Sequence, residues 1–93
     1  MKQREIAKKY NFLETQVQTA AIDLVSHKYY FGINEDYSEV EEHAIVVYIK
    51  TFNRTKNEKY AVTAAIEYLK EQEIIEEILK SMDISGKYGL LPQ

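Results

Sequence analysis

Thr15, Gln16, Gln18 and Thr19 stand almost side by side, and each ends in an uncharged hydrogen-bonding group. Side chains of this kind read base edges: a glutamine amide donates and accepts at once and so can make a bidentate contact with adenine, while threonine bonds either bases or phosphates. Lys2, Arg4, Lys8, Lys9 and Lys28 surround them in the chain, where cations would neutralise phosphates. Glu14 opposes such a contact, as does Asp23 if it faces the same way. Gln and Thr are also ordinary residues of a helix surface, so their meaning rests on the elements that carry them.

Catalysis finds little footing. The histidines His27 and His43 have no cysteine near them and no spaced carboxylate set, and Glu41-Glu42-His43 reads as the capped surface of a helix rather than as a metal site. The glycines Gly32, Gly86 and Gly89 are too scattered to build a phosphate loop, and the adjacency of Ser26 and His27 does not make a catalytic pair. No enzyme, cofactor, metal or small-molecule substrate is expected.

The elements that must position the polar cluster are legible from spacing. Ile6, Ala7 and Tyr10 would line the inner face of a first helix over about residues 2–10. Phe12, Val17 and Ala20 would pack a second helix, about 13–27, back onto it through Val17, Ala20, Ala21, Leu24 and Val25. Small Ala7 permits a close crossing, and Asn11 between the helices is one of the few residues besides Gly that tolerates a left-handed backbone. Together these residues have the order of a helix-turn-helix. The plain alternative is two amphipathic helices joined by a short loop, with no role at DNA.

From Lys28 to Tyr37 the character changes. Aromatic and β-branched residues around Gly32, with a polar Asn34-Glu35-Asp36 turn, predict a short β-hairpin or wing. Ser38 followed by Glu41 makes a capping box, so a third helix should start there and run to about Phe52, burying Val40, Ala44, Val47 and either Tyr48 or Thr51. The run from Ala44 to Ile49 is rich in strand-favouring residues and could instead form a buried strand beside Tyr29 to Ile33. The capping box and the acids Glu41 and Glu42 in the first turn, where the helix dipole favours negative charge, favour helix.

After a polar link from Thr51 to Lys59, one helical segment carries Tyr60, Ala61, Ala64, Ala65, Tyr68 and Leu69, and another carries Ile74, Ile75, Ile78, Leu79 and Met82. As one helix, Ala61, Ala64, Tyr68, Glu71, Ile75, Ile78 and Met82 would form a seam for a partner helix, with Glu71 the misfit. As two, Val62, Ile66 and Leu69 would enter the core and the chain would bend at Glu71-Gln72-Glu73. Ile74, Ile75, Ile78, Leu79 and Met82 are the residues expected to dimerise the protein.

The order of helix-turn-helix, aromatic wing, capped third helix and then Glu58 to Leu69 resembles the N-terminal winged-helix domain of MerR-type DNA-binding proteins. Tyr37-Ser38-Glu39-Val40-Glu41 is similar to the segment that ends the wing and starts the third helix there, and Ala61 to Leu69 to the fourth helix. The chain departs from that pattern in the second helix, where Gln16, Gln18, Thr19 and Ala21 replace arginine and paired tyrosines, and in the wing, which carries Glu35 and Asp36. The resemblance covers residues 3 to about 70. It implies a mainly α, winged helix-turn-helix fold with a short β-hairpin and a C-terminal helical extension (residues 71–93) within one domain, 1–93. It also implies double-stranded DNA as partner, and a homodimer would set two recognition helices about one turn of DNA apart.

Composition bounds these readings. Ninety-three residues, 45% of them hydrophobic, suit a single domain whose small core dimerisation would extend. The absence of cysteine excludes a disulfide framework and thiolate metal sites. No secretion signal opens the chain and no apolar run approaches the roughly 20 residues of a spanning helix, so a cytoplasmic protein without membrane contact is expected. The net charge of −3 argues against indiscriminate nucleic-acid binding. The charge is uneven, however: residues 1–34 hold five basic and three acidic side chains, residues 35–93 seven and twelve. Lys50, Arg54, Lys56 and Lys59 make a second positive stretch against the lone Glu58, which reads first as a solvated loop. Two functions of different class follow. One is a small sequence-specific DNA-binding protein acting as a dimer, such as a transcriptional regulator, an excision factor or a segregation-type site binder. The other is a helical interaction module that binds a protein partner through an acidic surface rich in tyrosine, of which there are eight.

Overall fold

The computed structural model describes residues 1–27 and 36–85, with side chains through Met82. Within them the chain forms four helices: α1 (Gln3–Tyr10), α2 (Glu14–Ser26), α3 (Glu39–Thr55) and α4 (Glu58–Ser85).

Local chemistry sets nearly every boundary. Glu5 accepts the Lys2 N–H at 2.7 Å at the start of α1, and Lys8 and Lys9 fall in its last turn, where cations complement the helix dipole. Asn11 ends α1 in the left-handed conformation (φ 60°, ψ 42°), and the Phe12 N–H returns to the Ala7 carbonyl at 2.8 Å. Gln16 accepts the Leu13 N–H at 2.9 Å to open α2. The capping box of α3 is present in both directions: Ser38 Oγ accepts from Glu41 N–H at 3.2 Å, and Glu41 accepts from Ser38 N–H at 2.7 Å. Lys56 closes α3 in the left-handed region (φ 57°), and Asn57 Oδ1 accepts the Tyr60 N–H at 3.1 Å to start α4.

Ala44 to Ile49 are helical, inside α3, as the capping box predicts against strand propensity. The two C-terminal segments are one 28-residue helix with no break at Glu71-Gln72-Glu73. The winged helix-turn-helix is overturned. Every described element is a helix, and no strand occurs among the described residues beyond an isolated bridging residue at Asp36. Residues 28–35 of the expected hairpin lie outside the described residues. Its last two residues meet the N-terminus instead: Met1 ammonium bonds Asp36 at 2.6 Å and the Tyr37 carbonyl at 2.7 Å, and Tyr37 N–H bonds the Met1 carbonyl at 2.8 Å.

α3 and α4, joined by Lys56-Asn57, form a helical hairpin and share the most extensive contact in the fold. α2 lies against both of them, and α1 lies on α2. The core gathers Ile6, Val17, Leu24 and Ile45, all without solvent exposure, with Ala20, Ala21, Ala44, Ile49, Ala61, Ala65 and Leu69. Burying one such large aliphatic side chain is worth about 1.5 to 3 kcal/mol. In α3 the expected inner face is corrected: Val40 is exposed and Val47 half-buried, whereas Ile45 and Ile49 are buried along with Ala44, Tyr48 and Thr51. A helix packed on two neighbours buries more than one stripe, and α3 touches both α2 and α4.

Candidate nucleic-acid interface

α1 and α2 carry the polar cluster, and the packing between them orients it. Ile6 and Ala7 on α1 and Val17, Ala20, Ala21 and Leu24 on α2 are buried, which turns Thr15, Gln18, Ile22 and Val25 outward along one stripe of α2. Thr15, Gln18 and Thr19 are therefore exposed in the first half of the helix, and Ile22 and Val25 in the second. Gln16 is spent on structure: besides accepting from Leu13, its Nε2 donates to Asn53 Oδ1 of α3 at 3.2 Å.

Among the cations assigned to phosphate, Lys2, Arg4 and Lys8 are exposed on and beside α1. Lys2, Arg4, Glu5 and Glu14 line one shallow cleft, so the acid that opens α2 sits beside two cations and a second acid. Lys9 is engaged inward. Its Nζ lies 2.8 Å from Glu42 of α3, and the Tyr10 hydroxyl donates to the same carboxylate oxygen. Burial pushes the Glu42 carboxyl up, but the hydrogen bonds from Lys9 and Tyr10, with the charges of Lys9 and His43, outweigh it and hold the group below the ordinary range. The same contacts, led by the Glu42 hydrogen bond, raise Lys9 and Tyr10. The reading of Glu42 as helix surface is thus corrected: it is buried and ties α3 to α1. Lys28 lies outside the described residues.

Asp23 does not face outward with the cluster. Its Oδ2 accepts from the Tyr48 hydroxyl at 2.6 Å, which turns the acid toward α3. Burial first, then this hydrogen bond, raises the Tyr48 hydroxyl far above the ordinary tyrosine range.

The second positive stretch is no loop. Lys50 and Arg54 belong to α3, Lys56 caps it, Lys59 opens α4, and all four are exposed. The Gln16–Asn53 hydrogen bond brings this corner beside the first turn of α2, because Arg54 directly follows Asn53. The contact that sets the second stretch beside α2 joins residues 37 positions distant.

Most of the described tyrosines are used internally. Tyr37 and Tyr48 are buried, the Tyr37 hydroxyl accepts from Gln3 at 3.0 Å, and Tyr10 stacks on Phe12 with centroids 5.8 Å apart. Tyr68 sits edge-on to His43 at 6.5 Å. Tyr60 is the one exposed tyrosine among the described residues, so they form no tyrosine-rich surface.

Ile74, Ile75, Ile78, Leu79 and Met82 are all exposed on the distal half of α4. Among the described residues, no group of His, Asp and Glu has the arrangement of a metal site, and no helix is long and apolar enough to cross a membrane. Comparison with protein-family models, with curated proteins and with solved structures gave no match to this chain.

Proposed function

We propose that the protein binds double-stranded DNA in a sequence-dependent manner, with α2 as the recognition helix. One observation carries this reading. Two helices are joined by the three residues Asn11-Phe12-Leu13 through a left-handed Asn11, and the second offers Thr15, Gln18 and Thr19 to solvent in its first turns. Helix-turn-helix proteins read bases with the N-terminal residues of the second helix while the first crosses the backbone. Arg4 and Lys8 on α1, with Arg54 and Lys56 at the α3–α4 corner, supply attraction to phosphate on either side.

The division of labour is testable by binding to fragments from the protein's own genetic neighbourhood at several salt concentrations. Gln18→Ala and Thr19→Ala should narrow the difference between sites, by about 1 to 3 kcal/mol where a bidentate bond to a base is removed. Lys8→Ala and Arg54→Ala should weaken every sequence alike and flatten the salt dependence. Absence of binding at low salt, or indifference to all four substitutions, discards the DNA reading.

A second reading is favoured by Ile22 and Val25. They continue the outward stripe of α2 as an apolar surface, and α2 itself carries Glu14 and Asp23 but no Lys or Arg. Such a face suits a protein partner. Ile22→Lys would abolish partner binding on that reading, whereas on DNA it would add a cation and strengthen non-specific affinity.

A further inference from the structure

α4 has two faces that point different ways. Ala61, Val62, Ala65 and Leu69 are buried in the body of the protein. At 100° per residue, the stripe of Ile74, Ile75, Ile78, Leu79 and Met82 is turned about 120° from them around the helix axis. The continuation of the buried face beyond Leu69 is Gln72, Glu73, Glu76 and Lys80, with Glu76 and Lys80 paired at 3.9 Å. The distal stripe is therefore turned away from most of the core-facing side chains of α4, although Leu79 stays in line with Ala61. Among the described residues, none covers it.

We infer that its occupant is the same stripe of a second copy of this chain, packed antiparallel. Area supports self-association: the five side chains are between 43% and 57% exposed. At that exposure they offer about 500 Å² per chain, or about 1,000 Å² across a symmetric pair before flanking residues are counted, which meets the roughly 1,000 Å² that a biological interface should clear. Shape agrees. The molecule measures 48 × 24 × 23 Å, with a helix of 28 residues and so about 42 Å along the long dimension. The distal turns thus have the length for side-by-side helix packing, and a two-fold pair closes on itself without leaving an open face.

Charge selects the orientation. Glu71 lies in line with the stripe, one turn nearer the body. In a parallel pair it would face its own counterpart, like charge against like. In an antiparallel pair centred between Ile75 and Ile78, it lies across from Met82 instead, and the isoleucines interleave. This pairing is independent of nucleic acid.

The chain has no cysteine, so single cysteines report directly on the geometry. Sedimentation equilibrium of the unmodified protein should give about twice the 10.9 kDa chain mass. Ile75→Glu combined with Ile78→Glu should return the single-chain mass with helix content unchanged by circular dichroism. Under mild oxidation, a mixture of Glu71→Cys and Met82→Cys chains should cross-link to each other, while neither does so alone; this readout does not depend on the glutamate variant folding. A single-chain mass for the unmodified protein at high concentration overturns the inference, and efficient self-cross-linking of Glu71→Cys alone overturns the antiparallel packing.

Discussion

Lys9 Nζ lies 2.8 Å from a carboxylate oxygen of Glu42, and although the lysine side chain is 50% exposed, that of Glu42 is only 4% exposed. The asymmetry defines the contact. Glu42 has left water for the seam between α1 and α3, and Lys9 and the Tyr10 hydroxyl replace the hydrogen bonds it gave up. A helix that would serve DNA is thereby held to the α3–α4 hairpin by a charged group of the hairpin.

Glu42→Ala should therefore lower stability by about 1.5 to 3 kcal/mol, the range for hydrogen bonds to a charged group. In a domain of this size, each kcal/mol lowers the melting temperature by about 4 to 8 °C. Thermal denaturation followed by circular dichroism checks this, and a decrease confined to surface-substitution levels, within about 0.5 kcal/mol, would show that the contact contributes little.

Acid should weaken the fold through the same residue. The folded Glu42 carboxyl is held below its ordinary 4.5, so its contribution is fully present above that value and is lost as pH falls through the lower folded one. Asp36 acts in the same direction, because the hydrogen bond and charge of the Met1 ammonium depress it. Urea midpoints should be flat from about pH 7 to 5 and fall below that. Glu42→Gln should flatten the acid limb only in part, leaving the share due to Asp36.

Tyr48→Phe removes the donor to Asp23 and should cost about 1 kcal/mol, less than a fully buried loss because Asp23 is half-exposed and can take water in its place. Because the folded hydroxyl is raised, its contribution is present below the unfolded tyrosine pKa near 10 and is lost as pH rises through the folded value. The variant should show a shallower alkaline loss of stability than the unmodified protein. An unchanged alkaline slope would mean that other tyrosines carry it.

The two left-handed helix ends respond in opposite ways to substitution. Lys56→Gly should stabilise by about 0.5 to 1 kcal/mol, because a side chain bearing a Cβ is strained at φ 57° and glycine is not. Asn11→Val should destabilise by about 1 to 2 kcal/mol, since a β-branched residue tolerates φ 60° worse than asparagine does. Equal melting temperatures for all three proteins would contradict this.

The features legible in the chain alone act within one or two helical turns. Ser38 and Glu41 start α3 because each reaches a backbone or side-chain partner three residues away, and that local signal overrode the strand propensity of Ala44 to Ile49. Asn11 marks the α1–α2 turn because it tolerates the left-handed backbone that ends α1, and Ile6, Ala7, Val17 and Ala20 were recognisable as the inner face of that pair. The burial of Glu42 and the inward use of Tyr48 and Tyr68 depended on partners 25 or more positions away: Lys9 and Tyr10 for Glu42, Asp23 for Tyr48 and His43 for Tyr68. The expected wing shows the limit most plainly. A hairpin needs a second strand in register with the first, a relation between separate parts of the chain that aromatic and turn residues alone do not specify.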